Sequence, residues 1–243
     1  MNILYIVGDG SKNGNQELRW SLRALEKYAT CPVQPMIVGT APEWFNGHVL
    51  EHPDCFNRKA KNIFDKILFA IDQDFIGGEF MISADDHFLT QPTDYDNSPR
   101  YWRNSICAQY RAGNNYAKAM AATRDTLLNS GYPAMDFTVH YNGFVNAADA
   151  EQARQLIDSS TRHRFGEFGI LAWAVFGNLA MISGKKRPVL FRNDVKIGWV
   201  SKEELAAIVK DNNCFSINDY AFCSDAFLKY MAKEFGRKCR WEK

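Results

Sequence analysis

The sequence predicts an α/β fold: a doubly wound mixed sheet with helices on both faces and a mostly helical C-terminal part. Three observations lead there. The chain opens on a β-branched and aromatic run, Ile3-Leu4-Tyr5-Ile6-Val7, with the character of a buried central strand. Short apolar runs then alternate with amphipathic helical periodicity over the first 90 residues, as in βαβ units whose right-handed crossovers build a parallel sheet. With 46% hydrophobic and 23% charged residues, the chain can close a large core and lacks the composition of a disordered one.

After the first strand, Gly8-Asp9-Gly10 leads through a polar turn to a helix with Leu18, Leu22, Leu25 and Ala29 on one face. The run Met36-Ile37-Val38-Gly39 is a second strand, continuing into Pro42-Glu43-Trp44-Phe45 and completing a βαβ unit. Ala60, Ile63, Phe64, Ile67, Leu68 and Ile71 fall at i, i+3, i+4, i+7, i+8 and i+11, the clearest helical stripe in the chain. The segment Glu79 to Ser83 is a strand, Phe80-Met81-Ile82, that runs into Ala84-Asp85-Asp86-His87. Helices are expected at Tyr116 to Leu128, Asp149 to Asp158, Phe168 to Leu179, Lys202 to Lys210 and about Asp225 to Phe235. The fourth of these opens on a Ser201 and Glu204 capping box. Neither a repeat nor a Gly/Ser/Pro-rich linker divides residues 1–243, so one domain is expected. Residues 1–90 carry the regular alternation of strand and helix patterns, and residues 91–243 a more irregular remainder.

A formal net charge of +1 provides no global field toward nucleic acid or an anionic membrane, so any polyanion needs a local patch. Cys31, Cys55, Cys107, Cys214, Cys223 and Cys239 include no CxxC pair and follow no secretory h-region, which predicts reduced thiols in the cytosol and argues against zinc. The longest apolar stretch, Phe168 to Ile182, is broken by Gly169, Gly177 and Asn178. It is shorter than the roughly 20 residues of a membrane span and is read as a buried helix.

The chemistry-bearing residues gather at strand ends. Asp85 and Asp86 lie at the carboxyl end of a strand, where open α/β sheets bind ligands. Two neighbouring carboxylates repel unless a cation or a proton lies between them, and hard oxygen ligands on Mn²⁺ or Mg²⁺ neutralise the diphosphate of a nucleotide-sugar donor. His87 is either a third metal ligand or a hydrogen-bonded neighbour. Arg19, Arg58 and Lys59 are candidate phosphate partners, with Lys61 beside them, and the Asn62 amide can bond a base or ribose. Gly8 lets a ligand approach the backbone closely, with Asp9 next to it on the same loop. Later in the chain, Asp136 and His140 lie in one polar-apolar segment and Asp219 in another, Cys214-Phe215-Ser216-Ile217-Asn218-Asp219. His140 is a candidate general base or late metal ligand, while Asp136 and Asp219 are candidates to act as base or to orient an acceptor.

Three segments carry a resemblance: Glu17 to Tyr28 (ELRWSLRALEKY), Pro42-Glu43-Trp44-Phe45 and Ser83-Ala84-Asp85-Asp86-His87-Phe88-Leu89. Together they resemble glycosyltransferases of the GT-A fold, and especially the Stealth capsular sugar phosphotransferases, with His140 and Cys214 to Asp219 in the places of that family's later segments. The chain departs from Stealth in its start, Ile6-Val7-Gly8-Asp9-Gly10, and in Ala84 before the acidic pair. It is also similar to small bacteriophage glycosyltransferases with an S-x-D-D-H-F strand end. The resemblance implies a metal-dependent transferase that moves a sugar from a nucleotide sugar to a hydroxyl acceptor, either a glycan or a hydroxymethylated base in phage DNA. A DNA acceptor would use a groove containing Arg100, Arg103, Arg111, Lys118 and Arg124. Sugar-1-phosphate transfer of the Stealth type and a non-catalytic donor-binding protein are the alternatives.

Overall fold

A computed structural model of the chain describes residues 1–106, 113–160, 166–184, 188–191 and 194–243; Cys107 and Arg111 lie outside the described residues. In chain order the strands are β1 (Asn2–Val7), β2 (Gln34–Gly39), β3 (His48–Leu50), β4 (Glu79–Ser83), β5 (His87–Leu89), β6 (Arg100–Trp102), β7 (Gly143–Asn146), β8 (Pro188–Leu190), β9 (Lys196–Ile197) and β10 (Cys214–Ile217). The helices are α1 (Gln16–Tyr28), α2 (Lys59–Asp72), α3 (Asn115–Asn129), α4 (Ala150–Ser160), α5 (Ala172–Ile182), α6 (Lys202–Asp211) and α7 (Asp225–Glu234). The main sheet has the order β3-β2-β1-β4-β7. Its first four strands are parallel and β7 pairs antiparallel with β4, so the sheet is mixed, as expected.

This order fixes where a ligand binds. The chain winds outward from β1 to β2 and β3, then returns to place β4 on the other side of β1. Strand order reverses between β1 and β4, which opens a crevice beyond their carboxyl ends.

Side chains alternate across the pleat, so β1 contributes to two cores. Ile3, Tyr5 and Val7 pack on one face against Leu18 and Leu22 of α1 and Phe227 and Met231 of α7. Leu4 and Ile6 pack on the other against Phe64 and Leu68 of α2 and Val175 and Phe176 of α5. Helices therefore cover both faces. Phe64, Ile67 and Leu68 of α2 are almost wholly buried, and each contributes about 1.5–3 kcal/mol of apolar burial.

Several expectations shift. The C-terminal part is less helical than predicted, because residues beyond 90 also supply β6 to β10. Four of these strands pair outside the main sheet: β10 joins β5 antiparallel and β9 parallel, and β6 pairs with β8. Ala29 leaves α1 as an extended cap and bridges to Thr93, ahead of helix-incompatible Pro32. Pro42 to Phe45 is a turn, with Phe45 bridged to Glu242. α5 starts at Ala172 rather than Phe168, since Gly169 adopts φ 89° where a Cβ would lie 2.9 Å from that of Ala60 on α2. The box at α6 forms both its bonds, Ser201 with the Glu204 backbone and Glu204 with the Ser201 backbone. No helix among the described residues is long and apolar enough to cross a membrane.

Gly177 tests the packing of α5. An added Cβ would lie 2.3 Å from Cγ of Phe137. Alanine gains about 1 kcal/mol of helix propensity over glycine, whereas overpacking a dense core costs about 1–3 kcal/mol. The overlap is severe enough for packing to win, so Gly177→Ala is expected to lower the thermal midpoint; a raised midpoint would show that α5 and the Phe137 segment are not in this contact.

Candidate functional site

Two clefts meet above the β1–β4 crevice. The first, of about 480 Å³, takes Gly8 from the end of β1, Asp85 and Asp86 from the end of β4, Lys59 from the start of α2, and Asp219 from the loop after β10. The second, of about 610 Å³, is lined by Tyr116, Phe168, Trp173 and His140. Asn57, Arg58, Lys59, Ile63 and Asp86 line both, so a single ridge separates a polar cleft from an aromatic one.

Asp85 and Asp86 occupy the turn between β4 and β5. Burial, followed by the adjacent Asp86 charge, pushes the Asp85 carboxyl up to about 6, and Lys59 only partly offsets this. Asp86 lies 3.5 Å from Nζ of Lys196. Glu17, on the first turn of α1, lines the same cleft: its Oε1 accepts a hydrogen bond from Ser11 at 2.6 Å, while its buried Oε2 has no hydrogen-bond partner. Glu17, Asp85 and Asp86 do not bring one ligand atom each within 4.8 Å of one another; in their chemistry, an unshared buried oxygen on Glu17 and an Asp85 carboxyl raised by burial and then by the Asp86 charge fit the hard-oxygen donor set that Mn²⁺ or Mg²⁺ takes.

His87 contacts one of the two carboxylates, its Nε2 lying 3.8 Å from Oδ1 of Asp86. Asp85, Asp86 and His87 do not bring one ligand atom each within 4.8 Å of one another. Registry explains it: β5 pairs His87 with Ser216 of β10, and the ring lines the aromatic cleft while Asp85 lines the polar one. Burial pushes the His87 imidazole down to about 4. The unfolded chain then binds a proton near pH 6.5 that the folded chain refuses until about pH 4. Stability is complete above pH 6.5 and is lost as pH falls through that window, by about 3 kcal/mol. Asp85 has the opposite slope in the same range, so the measurement is a difference. The stability of the wild type relative to His87→Gln, from urea unfolding, is expected to fall by about 3 kcal/mol between pH 7 and pH 4; a flat difference would mean that the ring is solvated.

The cationic side is carried by the N-terminus of α2. The helix has no acidic residue in its first turn, and its free N–H groups end at the ridge beside Arg58 and Lys59. The Arg58 guanidinium lies 5.8 Å from the Phe168 ring. Gly8 lets the following loop close in: a Cβ there would come 3.2 Å from Oδ2 of Asp54. Three expected donor ligands are engaged elsewhere. Arg19 packs 4.6 Å from the Trp44 ring and 3.8 Å from Glu242, outside the cleft lining. The Asn62 amide bonds both the N–H and the C=O of Phe56, at 2.7 and 2.9 Å, and so shapes the wall rather than reading a base. Asp9 accepts from Thr40 and ties the end of β1 to the end of β2.

On the aromatic side, the His140 backbone N–H donates to Oδ1 of Asp194 at 2.6 Å, and Nδ1 lies 3.1 Å from the same oxygen. Burial raises the Asp194 carboxyl, but hydrogen bonds and charge from His140, with help from Arg103, hold it below its ordinary value. An acid that stays ionised there keeps the proton on Nδ1 and leaves Nε2 as acceptor. Asp136 is not a free base. It is buried, accepts from the backbone and hydroxyl of Thr138 at 2.9 and 2.6 Å, and pairs with Arg103 at 3.0 Å. Asp219 lies on the rim of the polar cleft, 2.8 Å from Lys12, and not beside His140.

The groove expected for DNA does not assemble from the described residues. Arg100 is 3% exposed, Arg103 pairs with both Asp136 and Asp194, Arg124 pairs with Asp125, and Lys118 lies over Phe168. Sequence reasoning missed Asp194, Glu17, Lys196 and Lys66. The last is 1% exposed and bonds Asp54 and the Val7 carbonyl beneath the polar cleft. Its helix stripe gave no sign of this, although a lysine between Phe64 and Ile67 on a buried face is itself unusual. No protein-family model matches the chain, and no curated protein matches it at a significant level.

Proposed function

We propose that the chain is a metal-dependent glycosyltransferase of GT-A type that uses a nucleotide-sugar donor and a hydroxyl acceptor. One observation carries this reading: a polar cleft at the β1–β4 switch point and an aromatic cleft with a His140–Asp194 pair share a wall at Asp86 and Lys59. Two substrates bound one on each side would meet at that wall.

Asp85 and Asp86 would hold the ion, with Glu17 adjacent. When bound, Mn²⁺ or Mg²⁺ neutralises charge that develops on the diphosphate as the sugar leaves. Lys59, Arg58 and the N-terminus of α2 carry the rest of that charge. Tyr116, Phe168 and Trp173 offer flat apolar faces for an acceptor ring. Nε2 of His140 takes the acceptor hydroxyl proton, and Asp194 holds Nδ1 and stabilises the imidazolium that results. A glycan-like acceptor suits this cleft better than duplex DNA, whose phosphates find no open basic groove among the described residues.

The test is a screen of nucleotide sugars by thermal shift with and without Mn²⁺, followed by analysis of the released nucleotide. Nucleoside diphosphate release is expected. Nucleoside monophosphate would redirect the chemistry to sugar-1-phosphate transfer, and Mn²⁺-dependent binding without release to a donor-binding protein. No shift with any donor would sink the proposal.

A further inference from the structure

A second cluster of ligand side chains lies outside both clefts' chemistry. His52 and Cys55, from the loop after β3, and Asp65, from the second turn of α2, bring one ligand atom each within 4.8 Å of one another. His52 Nε2 lies 2.8 Å from Oδ2 of Asp65, and the His52 ring is stacked on Phe69 with centroids 4.1 Å apart and planes 13° from parallel. Two of the three ligands are thus already fixed to one helix. The third, the exposed Cys55 thiol, is held over them by a local turn in which Sγ donates to the Pro53 carbonyl at 3.4 Å.

We infer that His52, Cys55 and Asp65 bind a borderline divalent ion, Zn²⁺ before others, which clasps the loop of residues 52–58 to α2. Imidazole nitrogen, thiolate sulfur and carboxylate oxygen are the zinc donor types, whereas Mg²⁺ and Ca²⁺ avoid sulfur. Bonds of ~2.0–2.3 Å in a tetrahedron put neighbouring ligand atoms ~3.3–3.8 Å apart, so the His52–Asp65 pair, now at 2.8 Å, must open slightly to admit the ion while the Cys55 end, within 4.8 Å, closes on it. Water fills the fourth position. Binding converts the Cys55 thiol to a thiolate and releases its proton to solvent, while the His52 imidazole binds as the neutral ring.

The consequence reaches the polar cleft. The clasped loop carries Asp54, Phe56, Asn57 and Arg58, all of which line that cleft. A metal at the clasp would order this wall without touching substrate. The scattered cysteines concealed the site, because its ligands combine one HxxC step with a residue ten positions further on, inside a helix.

The inference is independent of the donor reading, and its test keeps the two apart. The full chain, stripped with chelator, is titrated with Co²⁺ as wild type, Cys55→Ser, Cys223→Ser and Asp86→Ala. Wild type, Cys223→Ser and Asp86→Ala are expected to show a near-ultraviolet thiolate-to-cobalt charge-transfer band saturating at one ion per chain. Cys55→Ser is expected to lack the band and, in chelator competition, to bind Zn²⁺ at least ~100-fold more weakly. Absence of the band in wild type overturns the inference, as does its survival in Cys55→Ser or its loss in Cys223→Ser. Loss in Asp86→Ala would show that His52, Cys55 and Asp65 do not hold the ion by themselves and overturn it equally.

Discussion

Asp86→Ala is expected to abolish Mn²⁺-dependent binding of the nucleotide sugar, weakening it at least ~100-fold, since loss of even an outer partner of a metal ligand costs 10–100-fold. Among the described residues, Asp86 is the one acidic residue that lines both clefts. Its removal takes a ligand from the ion and leaves Lys196 without its partner 3.5 Å away. Asp85→Asn should lose binding comparably, but with a telling difference in the free protein. With the Asp85 carboxyl raised from 3.8 to about 6, the folded chain keeps a proton in that window that the unfolded chain has released. Without a cation, therefore, the folded state loses stability as pH rises through the window. Asp85→Asn removes that loss, so the variant should be more stable than the wild type at pH 7.5, by about 1 kcal/mol after allowance for partial solvation. Mn²⁺ affinity of the wild type should likewise fall as pH drops below about 6, where Asp85 takes up its proton. Calorimetric titration of Mn²⁺ and donor from pH 5 to pH 8 reads both effects; a pH-independent affinity would mean that Asp85 is not a ligand.

His140→Ala is expected to spare donor binding and lower kcat by about 10²–10⁴-fold, the range for loss of a positioned general base. The KM for donor should stay within a small factor, because the imidazole lines the aromatic cleft and not the polar one. Asp194 acts through His140 and is a positioning residue. Asp194→Asn should lower kcat less than His140→Ala does and leave the KM for donor unchanged, because the ring keeps its place in the cleft but loses the carboxylate that orients Nδ1. A purely structural role would reduce the amount of active protein and leave kcat per active site unchanged. Equal loss of donor affinity in Asp86→Ala and His140→Ala would contradict the division of labour between the clefts.

What the sequence discloses tracks the range over which its signals act. β1, α2 and the α6 capping box are written in residues a few positions apart, and they appear in the structure with boundaries shifted by one or two residues. The acidic pair was legible for a topological reason: a strand ending in Asp85-Asp86 beside a first strand ending in Gly8 puts both at the switch point of a doubly wound sheet. The partners of β5 were not legible. His87, Phe88 and Leu89 pair with Cys214, Phe215 and Ser216, and three-residue strands so far apart carry no local pattern. That pairing places the His87 ring in the lining of the aromatic cleft, with Nε2 3.8 Å from Asp86. The roles of Asp136, Asp194 and Arg103 likewise depend on contacts across 30 to 90 residues, which decide that Asp194 supports the histidine and Asp136 secures a loop. Arg19 misled because a helix face gives direction but not partners; Trp44 and Glu242 hold it.

The central claim is that neighbouring carboxylates at the end of β4 hold a cation that in turn holds a diphosphate. Water-proton relaxation in a Mn²⁺ titration, with and without a panel of nucleoside diphosphates, tests it most directly. The account expects weak Mn²⁺ binding to the free chain, binding at least ~10-fold tighter with the preferred diphosphate, and loss of both in the Asp85→Asn, Asp86→Ala double variant. Equal Mn²⁺ binding by wild type and double variant, or diphosphate binding indifferent to the ion, would contradict it.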